Sequence, residues 1–306
     1  MRVRARYLLI CLFAARGGES AFADSPAMAA LRLPIGTVEA GRGGAGVAAC
    51  GDGGDFLRNP ATAVDEAGRR LHVSRAAWIS ETSVNHLSIG APLASGRISA
   101  AITSIGYGEF ERRGEIPTLA PEGRFEPSDA IVALSYAHEL PFDGPAIALG
   151  GTVRGMTQRI DTDRASGIAF DLGLRARPKR GGIALGLALR NAGPAFGPGD
   201  DPLPLTIATG VSIDAPRQLA ETLDGSLFAD VANVRGSGTD LHLGLEMRPA
   251  PILRARIGRV FGIEAEAWSG GFDFGIDALD LQLGYAFTDI ALGLDAAHRF
   301  DLTLRF

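Results

Sequence analysis

The chain lacks the features that mark several common classes of protein. Its 306 residues contain no run of 18 apolar residues, which excludes a transmembrane helix. It has only two cysteines, which excludes a disulfide scaffold, and its net charge of -5 argues against a nucleic acid partner. Yet 46% of the residues are hydrophobic, which excludes disorder. The apolar residues must therefore be arranged in some way other than long runs.

The first 23 residues have the three parts of a secretory signal peptide. Three arginines precede an apolar stretch at 8–15, and Ala21-Phe22-Ala23 is a small-residue cleavage site. We expect cleavage to leave Asp24 as the mature N-terminus, with 1–23 removed. Cys50 is then the only cysteine of the mature chain, so it has no partner for an intrachain disulfide, and a small buried residue is its favoured interpretation.

Apolar and polar residues alternate from about residue 70 to the C-terminus. In the last segment, Phe300, Leu302 and Leu304 lie on one face of a strand while Arg299 and Asp301 lie on the other. A period of two is typical of strands with one apolar face. This pattern predicts fourteen strands, at 70–80, 83–92, 97–108, 129–140, 145–157, 165–176, 181–190, 203–213, 225–233, 240–248, 251–260, 269–277, 279–288 and 293–306.

The second face of these strands is unusual for a soluble sandwich. It carries glycine, alanine and isolated charges, and the whole chain has one lysine, Lys179. A membrane barrel places its apolar face toward lipid and a small, polar face toward the lumen. We therefore predict an all-β fold in which 67–306 form a closed antiparallel transmembrane β-barrel of about 14 strands. A soluble β-sandwich is the alternative.

The even strand number has consequences for both ends of the barrel. It places the two ends of the barrel chain on one rim, and the connections after odd strands should be the longer, extracellular ones. Four connections follow this rule: 109–128, 158–164, 191–202 and 261–268. The chain ends in an aromatic residue, Phe306, on an amphipathic strand, as outer-membrane barrels often do where the assembly machinery reads them. We interpret Phe306 as the barrel-closing terminal residue.

Motifs of enzymes and cofactor sites are absent or out of context. The run from Gly41 to Gly46 matches G-x-G-x-x-G, but no clear strand precedes it and 51–54 would break the helix that must follow. A tight loop packed close to other backbone is the better interpretation. The five histidines are scattered singly, and Asp161 and Asp163 lie in a turn-rich segment. We expect no enzyme activity, no cofactor and no metal.

A family resemblance lies in residues 40–61. They contain Gly41-Arg42, the pair Gly43-Gly44 in a G-G-A-x-V-A run, then Asp52, then Asn59-Pro60-Ala61. In this order they resemble the PorV/PorQ-like outer-membrane barrels, which are similar to FadL-type transporters of hydrophobic compounds. Relatives often continue the last triplet with glycine, where this chain has Thr62. The strands at 253–258 and 279–287 also resemble that group.

The resemblance implies that 24–66 form a hatch or plug segment folded into the barrel lumen. Residues 31–66 are rich in glycine and alanine and lack alternation, so they can pack tightly inside a barrel. Asn59 can hydrogen-bond the local backbone and Pro60 can fix a turn. A plain periplasmic linker is the alternative. The residues of the resemblance are the candidate hatch and gating residues: Gly41, Arg42, Gly43, Gly44, Asp52, Asn59, Pro60 and Ala61.

Three functions fit a barrel of this kind. The first is a hatch-gated channel for hydrophobic or amphipathic small molecules. The second, implied by the resemblance to PorV, is an accessory barrel for protein export by type IX secretion, with a secreted protein or secretion complex as partner. The third is a structural barrel. In each case we expect the outer membrane of a Gram-negative-type bacterium, with outer-membrane lipid and the barrel-assembly machinery as partners.

Overall fold

The computed structural model describes residues 26–49, 54–114, 119–141, 143–178, 182–215, 224–262, 266–290 and 295–306. Within these ranges fourteen strands form one closed barrel, and every neighbouring pair is antiparallel. The predicted signal peptide, Cys50 and Asp52 lie outside the described residues. No helix among the described residues is long and apolar enough to span a membrane.

The strands follow the chain around the barrel in order, and the first pairs with the last to close it. Two further short strands form a separate hairpin in one loop. The barrel strands are β1 Arg70–Ala77, β2 Ser83–Leu93, β3 Gly96–Gly106, β6 Ser128–Leu140, β7 Ala146–Ile160, β8 Asp163–Arg177, β9 Ile183–Ala192, β10 Thr206–Asp214, β11 Gly225–Val234, β12 Gly238–Ala250, β13 Leu253–Phe261, β14 Glu266–Ile276, β15 Leu281–Ile290 and β16 Ala297–Arg305; the hairpin strands are β4 Phe110–Arg112 and β5 Gly123–Phe125.

The alternation in the sequence corresponds to the two faces of the barrel wall. In β16 the side chain of Phe300 is 60% exposed, whereas those of Arg299 and Thr303 are 1% and 3% exposed. The same contrast holds along β9, where Leu185 and Leu187 are exposed and the intervening residues are buried. The apolar face therefore points outward and the small, polar face points inward, so the predicted all-β closed barrel is confirmed.

Two of the predicted connections differ from the structure. The connection predicted at 158–164 is only a two-residue turn, because β7 and β8 continue pairing as far as Ile160 and Asp163. Asp161 in this turn has a φ of 54°, a left-handed conformation that aspartate tolerates. The long connection at 109–128 contains the hairpin of β4 and β5, which the alternation did not reveal.

The residues before β1 form short helices rather than strands. These are a 3-10 turn at Ala29–Arg32, the single-turn helix α1 at Thr37–Gly41, and 3-10 turns at Asp55–Leu57 and Pro60–Asp65. Every residue from 36 to 49 is buried. We call the described residues 26–49 and 54–66 the inner segment, because their contacts are with the inward face of the wall.

Candidate functional site

The inner segment contacts the wall on opposite sides of the lumen. Helix α1 packs against β13, β14, β15 and β16, whereas the 3-10 turn Pro60–Asp65 packs against β3, β6, β7 and β8. The residues that follow α1, as far as 49, reach β9 to β12, where Val47 packs among the small inward residues Ala188, Ala208 and Ala232. The lumen is thus occupied by a folded piece of the same chain.

Glycines on the inner wall allow this close approach. A Cβ at Gly258 would collide with the backbone of Arg42 and Gly43, and one at Gly186 would collide with the backbone of Val47. A Cβ at Gly150 would lie 2.5 Å from the carbonyl carbon of Pro60. These strand positions carry glycine because backbone passes directly over them, which is a recognised reason for glycine inside a strand.

Carboxylates on the wall hold the segment by its backbone N–H groups. The Thr37 N–H at the start of α1 donates to Oδ2 of Asp301 at 2.6 Å. The N–H groups of Gly46 and Val47 both donate to Oδ2 of Asp230, at 2.6 and 2.9 Å. Hydrogen bonds to a charged acceptor are stronger than neutral ones. Each carboxylate therefore anchors a different part of the segment to a different strand.

A chain of ion pairs joins Arg42 to the wall. Its Nη2 lies 2.7 Å from Oε2 of Glu246 on β12, and the same oxygen lies 2.6 Å from Nε of Arg256 on β13. Arg256 also pairs with Asp273 on β14. The Arg42 guanidinium stacks over the ring of Phe228 at 4.1 Å. Arg42 is 3% exposed, so this network is shielded from solvent.

The predicted hatch residues fall into two groups in the structure. Gly43 and Gly44 follow α1 with φ of 66° and 77°, so the G-x-G-x-x-G run is a tight turn and holds no helix N-terminus suited to a phosphate. The Gly43 carbonyl oxygen lies 2.8 Å from Nδ1 of His242 on β12. Gly41 packs against Arg256 and Gly271.

The second group surrounds Asn59, which is 0% exposed. Its side-chain oxygen accepts from the Ala61 N–H at 3.1 Å and caps the 3-10 turn that begins at Pro60. Its Nδ2 donates to the Val47 carbonyl oxygen at 2.6 Å and to that of Leu174 on β8 at 3.2 Å. The Asn59-Pro60-Ala61 triplet thus forms the local turn, and the Asn59 side chain links two parts of the inner segment and contacts the wall.

Phe306 lies at the seam where the barrel closes. Its N–H donates to the Arg69 carbonyl oxygen and its own carbonyl oxygen accepts from the Arg69 N–H, both at 3.0 Å. The ring is 60% exposed on the outward side. This pair extends the ladder between β1 and β16 by one step beyond the strands, so the terminal residue contributes to the closure.

A cavity of about 250 Å³ lies between the inner segment and the wall from β9 to β15. Aliphatic side chains form much of its lining. The ionisable side chains in the lining are Arg32, Arg58, Arg190, Asp240 and His242. A second cavity of about 30 Å³, also lined by Arg58 and Arg190, lies toward β3, β6 and β7. These spaces are large enough for a small organic molecule and for water respectively.

Sequence reasoning did not single out the wall residues that hold the inner segment. Asp230, Glu246 and Asp301 were three among many polar residues on the predicted inward faces. Such residues could have been found as acidic side chains on a face otherwise rich in glycine and alanine, because a charge that points into the lumen needs a partner there. The partners themselves lie as far as 264 residues away along the chain, for Thr37 and Asp301.

Several buried charges of the lumen hold the inner segment against the wall. Arg42 with Glu246 and the Gly46 N–H with Asp230 bridge the segment and the wall, whereas Arg58 pairs with Glu39 inside the segment and Arg154 pairs with Asp171 inside the wall. In the described part of the chain, no cluster of three His, Cys, Asp or Glu side chains is placed to hold a metal ion.

Comparisons with known proteins bear on the fold alone. No protein-family model and no curated protein matches the chain, so the PorV/PorQ resemblance rests on the quoted residues. Among solved structures, the P. putida toluene transporter TodX matches with a TM-score of 0.61 at 11% identity, covering 89% of this chain and 98% of TodX. The TodX deltaS2S3 mutant, a monoaromatic hydrocarbon channel, matches at 0.59 and 11% identity, covering 89% and 99%. The chain is thus similar to TodX in its β-barrel fold.

Proposed function

We propose that this protein is an outer-membrane channel for small hydrophobic or amphipathic molecules, and that its inner segment is the hatch that gates it. The observation that carries the proposal is the inner segment itself, which occupies the lumen, contacts the wall through hydrogen bonds and ion pairs, and leaves a cavity beside it. TodX, a toluene transporter by name, has a similar barrel and supports the same class of function.

The exposed apolar face supports a place in a membrane. Outward side chains such as Leu134 at 55% and Leu172 at 61% exposure would meet water in a soluble protein. In an outer-membrane barrel the same face meets lipid. We propose export by the signal peptide at 1–23 and insertion by the barrel-assembly machinery into the outer membrane of a Gram-negative-type bacterium.

The gating role can be tested by ionic conductance in planar bilayers. The mature chain should conduct weakly, because the inner segment occupies the lumen. A variant lacking 31–66 should conduct several times more, because small residues then line an open bore. Migration on gels before and after boiling should first show that both barrels are folded. Equal conductance of the two folded proteins would contradict the hatch.

The export alternative leads to a different outcome in the same preparation. An accessory barrel for type IX secretion would co-purify with a secretion complex, and this association would be lost on replacing the loop at 109–128. The described part of that loop carries the exposed hairpin of β4 and β5. Co-purification combined with unchanged conductance on deleting 31–66 would favour export over transport.

A further inference from the structure

Arg190 is a buried cation without a counter-ion in contact. It lies on the inward face of β9 and is 7% exposed. Among the described residues its guanidinium has no ion-pair partner, and its Nε has no hydrogen-bond partner. Moving a charge out of water without such partners is costly, and folded proteins seldom tolerate it unless the charge is used. Arg190 therefore needs an explanation beyond the packing of the inner segment.

Three carboxylates interact electrostatically with Arg190, and each of them is engaged with another group. Glu39 pairs with Arg58 at 2.8 Å, and Asp171 pairs with Arg154 at 2.6 Å. Asp230 accepts two backbone N–H groups of the inner segment. Each of these anions has a closer partner than Arg190, so the Arg190 guanidinium remains available as a donor.

Arg190 lines the cavity of about 250 Å³ described above. The guanidiniums of Arg32 and Arg58 also line it, against the single carboxylate of Asp240, which lies 4.0 Å from Arg32. Because Arg58 pairs with Glu39 and Arg32 with Asp240, Arg190 supplies the uncompensated positive charge of this lining. Elsewhere it is aliphatic, with side chains such as Leu31 and Val260.

We propose that this cavity binds a small amphipathic carboxylate, with the carboxylate on Arg190 and the apolar body against the aliphatic lining. A planar guanidinium can donate two parallel hydrogen bonds to a carboxylate, which makes arginine well suited to this class of ligand. A cavity of roughly 150 Å³ already accommodates benzene, so this one has room for a single ring with a short acidic chain. The inference rests on the proposed function, because the bound molecule would be the cargo of the channel.

Calorimetric titration of the full mature chain in detergent tests the proposal with two probes of similar size. Phenylacetate carries the carboxylate, and phenethyl alcohol is its neutral counterpart. The wild type should bind phenylacetate about tenfold more tightly, a difference of about 1.4 kcal/mol. Arg190→Gln should abolish this preference while keeping the affinity for the alcohol. Arg190→Lys retains the charge and should keep most of the preference.

The variants must be folded barrels, which their migration before and after boiling will show. Equal binding of phenylacetate by the wild type and Arg190→Gln would overturn the inference, as would a wild type that does not prefer the carboxylate. Conductance after deletion of 31–66 does not depend on Arg190. A failure of binding together with the expected rise in conductance would therefore overturn this inference and leave the proposed channel intact.

Discussion

Single glycines on the inner wall determine how close the inner segment can come to the strands. Gly258 on β13 faces the backbone of Arg42 and Gly43, whereas Gly155 on β7 has no atom within 4 Å of the place where a Cβ would lie. Both are glycines inside barrel strands, but Gly155 lies on the outward face of β7, and only Gly258 faces the backbone of the inner segment. Comparing alanine substitutions at the two positions therefore distinguishes a loss of contact with the inner segment from the general cost of replacing a glycine in a strand.

We therefore expect Gly258→Ala to displace the turn at Gly43 and loosen the inner segment. Forcing an extra methyl group against backbone costs about 1–3 kcal/mol, because the neighbour cannot rotate away as a side chain would. Limited proteolysis in detergent should cut the inner segment of Gly258→Ala several times faster than that of the wild type. Gly155→Ala is the matched control and should behave as the wild type does. Equal cleavage of all three would mean that Gly258 does not seat the segment.

At the scale of elements, the sequence could predict the positions of the barrel strands but not the contacts of the inner segment. The barrel strands were predicted to within a few residues, because the alternation of an apolar outward face with a polar inward face is a local signal. The short strands β4 and β5 span three residues each, too few for a period of two to be seen. The contacts of the inner segment, such as Thr37 with Asp301, join distant parts of the chain and leave no periodic trace.

The hairpin of β4 and β5 should contribute little to the stability of the barrel. Its ion pair from Arg124 to Glu109 is internal to the loop and exposed, and its pair from Arg112 to Asp161 is partly exposed. Exposed pairs of this kind are worth about 0–1 kcal/mol. Replacing 109–126 with a short glycine–serine turn should leave the thermal unfolding temperature in detergent unchanged. A large drop in that temperature would show that the hairpin braces the barrel.

The whole molecule combines an apolar exterior with a charged and occupied interior. If the exterior faces lipid, the destabilisation caused by an outward charge should depend on its depth in the membrane. Leu134 and Leu140 both face outward on β6, the first near the middle of the strand and the second at its end. In lipid, Leu134→Arg should reduce the free energy of unfolding by about 2–4 kcal/mol, and Leu140→Arg by about 0–1 kcal/mol. Urea titrations of the barrel folded into lipid vesicles would measure both. Equal effects would contradict the proposed position of the membrane.

The hatch is the central element of the proposed function, and a reversible covalent lock tests it most directly. A Cβ at Gly284 on β15 would lie 3.3 Å from the Cβ of Thr37 on α1, close to the separation of about 3.5–4.5 Å found in disulfides. Thr37→Cys and Gly284→Cys can be combined in a chain that also carries Cys50→Ala, which removes the native thiol. Thr37→Cys with Cys50→Ala is the control that cannot form the bond.

The measurement is the uptake of a fluorescent amphiphile by liposomes that contain the protein, using an amphiphile that does not cross protein-free liposomes. If the inner segment gates the channel, uptake through the oxidised double-cysteine barrel should be abolished and a reducing agent should restore it, while the control is unaffected by either treatment. Equal uptake by the oxidised and reduced forms would contradict a moving hatch at α1.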